Sequence, residues 1–481
     1  MAHWGPLGIV LLMTVAGPLE AVETFVLTPE VVVKRSIEFS RRAAQVRLEA
    51  QASDAALLRI EGRGDFNLSG SASYVIDRSE NLSGLSSLED KQAIGSISVD
   101  KKFFSGTKLS TSYQRIIQRS DLTPTLQAFR SASQAYDFWQ ARIDQDLLQN
   151  FLGIADRYRL SSAELQKQRL RILENESLEA VALEGLNLFL SAYIAEQKVR
   201  ETEKAYDKYR TLTSFLSDKV SRGLGDEAEV GKARAQLGAS ERAMKAADLD
   251  WRNKRAQLVN FLQYPLEQAV KLAIDKSLPA EPASLDVSVE SLERVRAARL
   301  LLEAAEKDRD AARWETMPDL KAYGAVGLSG LDQNAGESFS EMAGADKPRY
   351  EVGLQFRWSP LSSRQEADRV ETKRLASLAE VEASRVLEAE KTFVDEARRN
   401  LEMSREISNS ADKVHDQWES VLKNQERRFR RGIISLNEMI QDYSSLFQAE
   451  SSKRVAEANY LFSFYQWKAV TSKLIQEGAL K

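Results

Sequence analysis

Few side chains in this chain are equipped for covalent chemistry. There is no cysteine and there are only two histidines, His3 and His415. Without a thiol there is no disulfide, no thiolate nucleophile and no lipid attachment to an N-terminal cysteine. His3 falls in an apolar N-terminal leader, so His415 stands alone. Ser-His, Cys-His and His-rich metal sites therefore lack their members. Carboxylates are abundant, with 71 Asp and Glu, which leaves a hydrolase built on paired acids as the remaining catalytic class. None of those acids sits in a Gly-rich or strand-end setting that suggests a pocket. The expectation is a protein that is not an enzyme and needs no cofactor and no metal; absent Met clusters give no support for metal specificity. A net charge of −4 offers no positive excess for nucleic acid.

The elements that surround these residues are more informative. Charged residues make up 29% and hydrophobic ones 43%, which is unlike a polytopic helical membrane protein. The one hydrophobic segment at the N-terminus, Pro6 to Leu19, reads as the apolar part of a signal peptide, residues 1–21, with Leu19-Glu20-Ala21 before the cleavage point. Its leading end carries no Lys or Arg, and a short buried helix or an uncleaved anchor are the alternatives; the segment is short for a span.

The chain then says nearly the same thing twice. Leu48-Glu49-Ala50, Asp54, Glu61 and Asp65 recur at one constant interval as Leu302-Glu303-Ala304, Asp308, Glu315 and Asp319. Each copy passes from a charged helical stretch into an alternating strand, and Arg222-Gly223-Leu224 is matched later by Arg431-Gly432-Ile433. This reads as an internal tandem repeat, 22–277 and 288–481, joined by the Pro-rich linker 278–287.

In the second copy, Tyr350, Val352, Leu354, Phe356 and Trp358 share one strand face while Glu351, Gly353, Gln355 and Arg357 share the other. In the first, Phe66, Leu68, Gly70, Ala72, Tyr74 and Ile76 oppose Asn67, Ser69, Ser71 and Ser73. Strict alternation over such a length fits a transmembrane β-strand with lipid on one side and water on the other. A half-buried strand of a soluble sheet has the same period. Aromatic residues near strand ends (Phe103, Phe104, Tyr350, Phe356 and Trp358) favour the membrane, because such rings settle at its interface. Strands are expected at 65–76, 95–103, 107–117 and 136–144 in the first repeat and at 319–329 and 350–358 in the second.

Long helices account for the rest. The stretch 147–221 has no Pro, and 364–431 has neither Pro nor Gly. At 1.5 Å per residue each would extend roughly 100 Å and must supercoil against partners. Shorter helices at 29–62, 227–262, 289–316 and 435–474 would stack end to end beside them, with hairpin tips at 222–226 and 431–435. Leu183, Leu186, Leu188, Phe189, Leu190, Tyr193 and Ile194 are apolar on nearly all sides but too short a run to span a bilayer, so a buried helix is expected there.

Strands, long helices, stacked pairs and a duplication in this order resemble the TolC family of outer-membrane efflux proteins. The residues that carry the resemblance are Arg222-Gly223-Leu224-Gly225-Asp226-Glu227-Ala228, similar to the family's first hairpin turn, and Arg431-Gly432-Ile433-Ile434-Ser435-Leu436-Asn437-Glu438-Met439, similar to its second. Arg142-Ile143-Asp144-Gln145-Asp146-Leu147-Leu148 resembles the family's strand-end motif, with Asp146 in place of its Pro. The resemblance implies an α+β membrane protein: an antiparallel outer-membrane β-barrel, its strands shared between protomers, continuous with a long periplasmic α-helical coiled-coil barrel. It further implies a homotrimer in the outer membrane of a Gram-negative bacterium, in contact with outer-membrane lipid. The trimer would serve as exit duct for efflux or type I secretion, driven by an inner-membrane transporter through a periplasmic adaptor. The tips Arg222, Gly223, Leu224 and Arg431, Gly432, Ile433 would meet that adaptor. Acidic rings narrow the family's periplasmic aperture; Glu438 falls at the first such position, Gln441 at the second, and Asp442 follows. Relatives with four strands per protomer form twelve-stranded barrels, and six strands here leave twelve or eighteen open. The alternative function is a non-conducting coiled-coil scaffold.

Overall fold

The computed structural model describes residues 25–78, 89–122, 131–265, 270–274, 278–280, 282, 287–360 and 362–475. The 1–21 leader, and residues 281 and 283–286 of the linker, lie outside the described residues. In chain order the first elements are β1 (Phe25–Leu27), α1 (Pro29–Phe39), α2 (Arg41–Glu61), β2 (Phe66–Asp77), β3 (Glu89–Lys102), β4 (Thr107–Asp121) and β5 (Ser133–Asp146). There follow α3 (Ile154–Ser221), α4 (Glu227–Phe261), β6 (Val270–Leu272), α5 (Glu293–Glu315) and β7 (Asp319–Asp332). The last are α6 (Ala335–Gly344), β8 (Pro348–Arg357), α7 (Ser363–Arg430) and α8 (Leu436–Val470). The fold is α+β. The chain divides into two compact units, one of Val46–Glu176 with Val287–Phe393 and the other of the described parts of Met1–Gln45, Ser177–Asp286 and Val394–Lys481.

The first unit contains an antiparallel sheet of six strands in the order β2-β3-β4-β5-β7-β8. Its register sorts side chains by polarity. The row Leu68, Val99, Thr111, Ala141, Val326 and Tyr350 runs across all six strands on one face, and the neighbouring row Ser69, Ser98, Ser112, Gln140, Gly327 and Arg349 on the other. The polar face is tied by hydroxyl pairs, Ser69 with Ser98 at 2.7 Å and Ser71 with Ser96 at 2.8 Å. On the outer strands the apolar face is left bare: Val352 is 89% exposed and Leu68 and Leu354 are 70% exposed. β2 and β8 each pair on one side only among the described residues.

Three strands reach beyond their alternating cores. β3 starts at Glu89, β4 ends at Asp121 and β5 starts at Ser133. Helix α6, which follows β7, lies against β5 and β7 on the apolar face. There it covers an ion pair: Arg115 donates to Asp137 at 2.7 and 3.1 Å, Ser338 Oγ donates to Asp137 at 2.9 Å, and the Tyr113 hydroxyl also donates to it. Arg115 donates further to the Ala335 carbonyl at 3.1 Å. Asp137 is wholly buried. A bare carboxylate on an apolar sheet face would be costly, and this one accepts four hydrogen bonds from three side chains.

The base of the same unit joins strands to helices. Asn150 Oδ1 accepts from the Ala155 and Asp156 N–H groups at 3.0 and 3.2 Å and caps the start of α3. Arg159 of α3 donates to Asp308 and Glu315 of α5, at 2.8 Å to each. Burial notwithstanding, its charge is held more firmly than usual by the hydrogen bond to Glu315.

In the second unit the parallel pair β1–β6 leads into α1, whose first residue is Pro29 behind the capping Thr28. The expected single helix over 29–62 is broken at Ser40, which is extended and caps α2 through Ala43 N–H at 3.1 Å. The apolar run of α3 is packed inside this unit: Leu186 and Phe189 have no exposed surface. Tyr460, also buried, donates to the Pro279 carbonyl at 2.7 Å.

Replacing Asp137 with Ala strands Arg115 on the apolar face. This substitution is expected to lower the unfolding free energy by about 3 kcal/mol, read as a lower urea midpoint of the purified protein. Ser338→Ala, which removes one bond to that charge, is expected to lower it by about 2 kcal/mol.

Candidate functional site

Both hairpin turns are built in the same way. At the end of α3, Leu224 N–H donates to the Lys219 carbonyl and Gly223 N–H to that of Val220, both at 2.9 Å. At the end of α7, Ile433 N–H donates to Arg428 at 3.0 Å and Gly432 N–H to Phe429 at 2.9 Å. This crossed pair of bonds requires a left-handed residue, and Gly223 and Gly432 supply it with φ of 73° and 74°. Nothing crowds either glycine, so the requirement is one of backbone conformation alone. Leu224 is 72% exposed and Ile433 58% exposed. In a turn of this type the residue after the glycine commonly folds back on the helix; here both apolar side chains point away. Arg222 and Arg431 are exposed beside them.

Each outgoing helix begins with its own cap. Asp226 accepts from the Ala228 N–H at 2.8 Å to start α4. Ser435 and Glu438 form a reciprocal capping box at the start of α8: Glu438 N–H donates to Ser435 Oγ at 3.3 Å and Ser435 N–H to Glu438 Oε2 at 2.7 Å. These hydrogen bonds, the backbone one foremost, hold the Glu438 carboxyl below the usual glutamate range. Gln441 is exposed. Asp442 is half-buried, with Oδ2 free of any partner, and burial pushes its carboxyl up. The two neighbouring acids thus differ: hydrogen bonds hold the Glu438 charge more firmly than usual, whereas burial outweighs the Gln425 hydrogen bond and holds that of Asp442 less firmly.

The two hairpins share one core of Tyr209, Leu212, Leu216, Val230, Leu422, Leu436, Met439 and Tyr443. Beside it, Glu426 accepts from Lys208 at 2.7 Å and from the Tyr443 hydroxyl at 3.0 Å. Burial and the Glu426 charge push the Tyr443 hydroxyl well above the ordinary tyrosine value. Sequence reading missed this tie. Lys208, Glu426 and Tyr443 lie on three helices, and no local spacing relates them. Among the described residues one group brings potential metal ligands together, His415, Asp416 and Glu419 within 4.8 Å. Both acids are exposed, and the cluster carries no built site.

Four of the five expected interface aromatics lie exposed at or just beyond strand ends. Tyr350 is 74% exposed, Phe356 60% and Trp358 57%. Phe103 is 41% exposed, and Lys101 sits above the rings of both Phe103 and Phe66. Phe104 instead turns inward, its ring 3.2 Å from where a Cβ on Gly64 would stand. It packs the β3–β4 turn onto the base of the unit.

No protein-family model matches the chain, and no curated protein matches it. Solved structures do. The outer membrane protein VceC from Vibrio cholerae superposes with a TM-score of 0.68 at 11% identity, covering 93% of this chain and 96% of that one. The Campylobacter jejuni CmeC outer membrane channel gives 0.70 at 12% identity, covering 94% and 89%. The chain shares their fold. The open state of the Neisseria gonorrhoeae MtrE outer membrane channel gives 0.65 at 13% identity, covering 93% and 89%.

Alanine at Gly432 forces a Cβ into the left-handed region and is expected to cost about 1–2 kcal/mol. The thermal midpoint of Gly432→Ala should fall accordingly. Gly432→Asn should fall less, because asparagine tolerates that conformation.

Proposed function

We propose that three copies of this chain form a trimeric channel-tunnel in the outer membrane of a Gram-negative bacterium, the exit duct of an efflux or type I secretion system. In this reading the six-stranded sheet contributes to a closed barrel, and the long helices form a periplasmic tunnel. The observation that carries it is the sheet itself. Its bare apolar face suits lipid, its polar face suits water, and its two unpaired edges need partners wherever water is excluded. A second support lies on α7. Ile407, Val414 and Val421 are exposed at seven-residue spacing, which suits a coiled-coil partner from another copy. The matched lengths of α3 and α7, 68 residues each, and of α4 and α8, 35 residues each, favour the internal duplication. VceC is an outer membrane protein and CmeC and MtrE are outer membrane channels, and the shared fold supports the same place for this chain.

The outward Leu224 and Ile433, with Arg222 and Arg431, suit the docking of a periplasmic adaptor that couples the duct to an inner-membrane pump. Glu438, Gln441 and Asp442 would stand at the aperture. Of these, Glu438 supplies the ring of fixed charge and gives the closed duct a preference for cations.

Planar-bilayer recordings of the full assembled protein test the conducting role. Wild type is expected to show discrete cation-preferring openings. Glu438→Gln, which keeps a hydrogen-bonding side chain and removes the charge, should lose most of that preference. The hydrogen bonds favour ionised Glu438, so its charge and its capping contribution are present above the ordinary glutamate value near 4.5 and vanish only as pH falls through a lower one. Cation preference should therefore survive at pH 4.5 and fade under stronger acid. Well-folded assemblies that never conduct, in either form, would support the scaffold alternative instead.

A further inference from the structure

The hairpin β3–β4 is a working part of the barrel wall, and we infer that the closed barrel has eighteen strands, six from each of three copies. The inference rests on the trimeric reading above and decides between the twelve and eighteen strands that the sequence leaves open. Three observations carry it.

The first is pairing. β3 is registered against β2 from Phe66↔Lys101 to Asp77↔Asp90 and against β4 from Glu89↔Asp121 to Lys102↔Lys108. β4 continues against β5 from Thr107↔Gln145 to Arg119↔Ser133. No stretch of the hairpin hangs outside the sheet, and removing it would leave β2 with no neighbour among the described residues.

The second is polarity. Ala93, Ile97, Val99, Leu109 and Ile117 continue the apolar face, interrupted by Lys101, Thr111 and Arg115, while Ser96, Ser98, Ser110, Ser112 and Gln114 continue the polar one, interrupted by the pair Ile94 and Ile116. A hairpin folded outside the wall would have no use for two opposed faces in phase with those of its neighbours.

The third is the turn. Gly106 N–H closes the turn on the Phe103 carbonyl at 3.0 Å, and the Gly106 carbonyl accepts from Asp146 N–H at 3.0 Å. Lys102 Nζ reaches Asp156 at 2.6 Å. A Cβ on Gly106 would stand 2.7 Å from the Asn150 carbonyl oxygen, and one on Gly153 only 1.8 Å from that of Phe104. Two glycines thus face each other across a contact too close for any side chain. The hairpin is seated on the start of α3 by a fitted joint.

Closure then follows from the edges. β2 and β8 point in opposite directions across the six antiparallel strands, so β8 of one copy can pair antiparallel with β2 of the next. Their apolar residues, Leu68 and Tyr74 on β2 and Val352 and Leu354 on β8, would continue one band over the seam. Barrel diameter grows roughly in proportion to strand number, so eighteen strands give a wall about half as wide again as twelve, in the porin range that leaves an open aqueous channel.

A chain with no native cysteine allows a clean test in outer-membrane vesicles of the full protein. Ser71→Cys with Ser96→Cys, and Ser112→Cys with Gln140→Cys, should each form an intrachain disulfide. A scan of polar-face β2 positions from Asn67 to Ser73 against β8 positions Arg349, Glu351, Gln355 and Arg357 should give interchain bonds whose ladder ends at a covalent trimer. Covalent trimers in which Ser71→Cys bonds to Gln140→Cys, and not to Ser96→Cys, would overturn the eighteen-stranded wall and leave the trimeric duct standing. A ladder ending at the dimer, or no interchain bond at any seam position, would overturn both.

Discussion

The constraint on which the rest depends is the backbone of two strands. β2 and β8 each carry a row of N–H and C=O groups with no partner on their outer side among the described residues. In water such edges are a liability; in hydrocarbon each unsatisfied group costs several kcal/mol. The bare apolar face of the same sheet points to hydrocarbon as its surroundings. Edge and face together make closure by further copies the natural resolution. The exposed apolar stripe on α7 makes the same demand for its helix.

The sheet is joined to its helices by a set of fitted contacts. Asn150 caps α3 and Arg159 bonds to two acids of α5. Leu147 N–H donates to the Leu320 carbonyl at 2.8 Å, joining the end of β5 to the start of β7. Gly106 and Gly153 bring the β3–β4 turn onto the same base. Fitted contacts recur at the hairpin turns. Two glycines, two caps and one shared cluster fix the helix ends, and the apolar side chains left over point outward.

Much of the sheet was legible because polarity alternates with a period of two wherever one face is apolar. Phe66 to Ile76 and Tyr350 to Trp358 carry that signal in full. It fails at Glu89-Asp90-Lys91-Gln92, where both faces are polar and the strand extends because β2 and β4 pair with it. Helix α6 was not foreseen. No element was assigned between 329 and 350, and Ser338 of this helix donates to Asp137, 201 residues away in sequence. The β1–β6 pair is three residues long and joins distant parts of the chain, so it leaves no local trace. Ser40 breaks a helix whose apolar spacing continues through it. Phe104 has the type and position of an interface anchor, but the close approach of Gly64 draws it inward. The place of Glu438 in the first turn of α8 was readable from the Arg431-Gly432-Ile433 turn, while its engagement in a capping box is a matter of geometry. The link of Glu426 to Lys208 and Tyr443 depends on the rotation of three helices, which no single stretch of sequence encodes.

The most direct test of closure by copies is electron cryomicroscopy of the full protein in lipid nanodiscs. The account predicts a threefold particle whose membrane section is one continuous barrel, with β8 of each copy hydrogen-bonded to β2 of the next. Single copies in the bilayer, or a trimer in which those two edges stay apart, would contradict it.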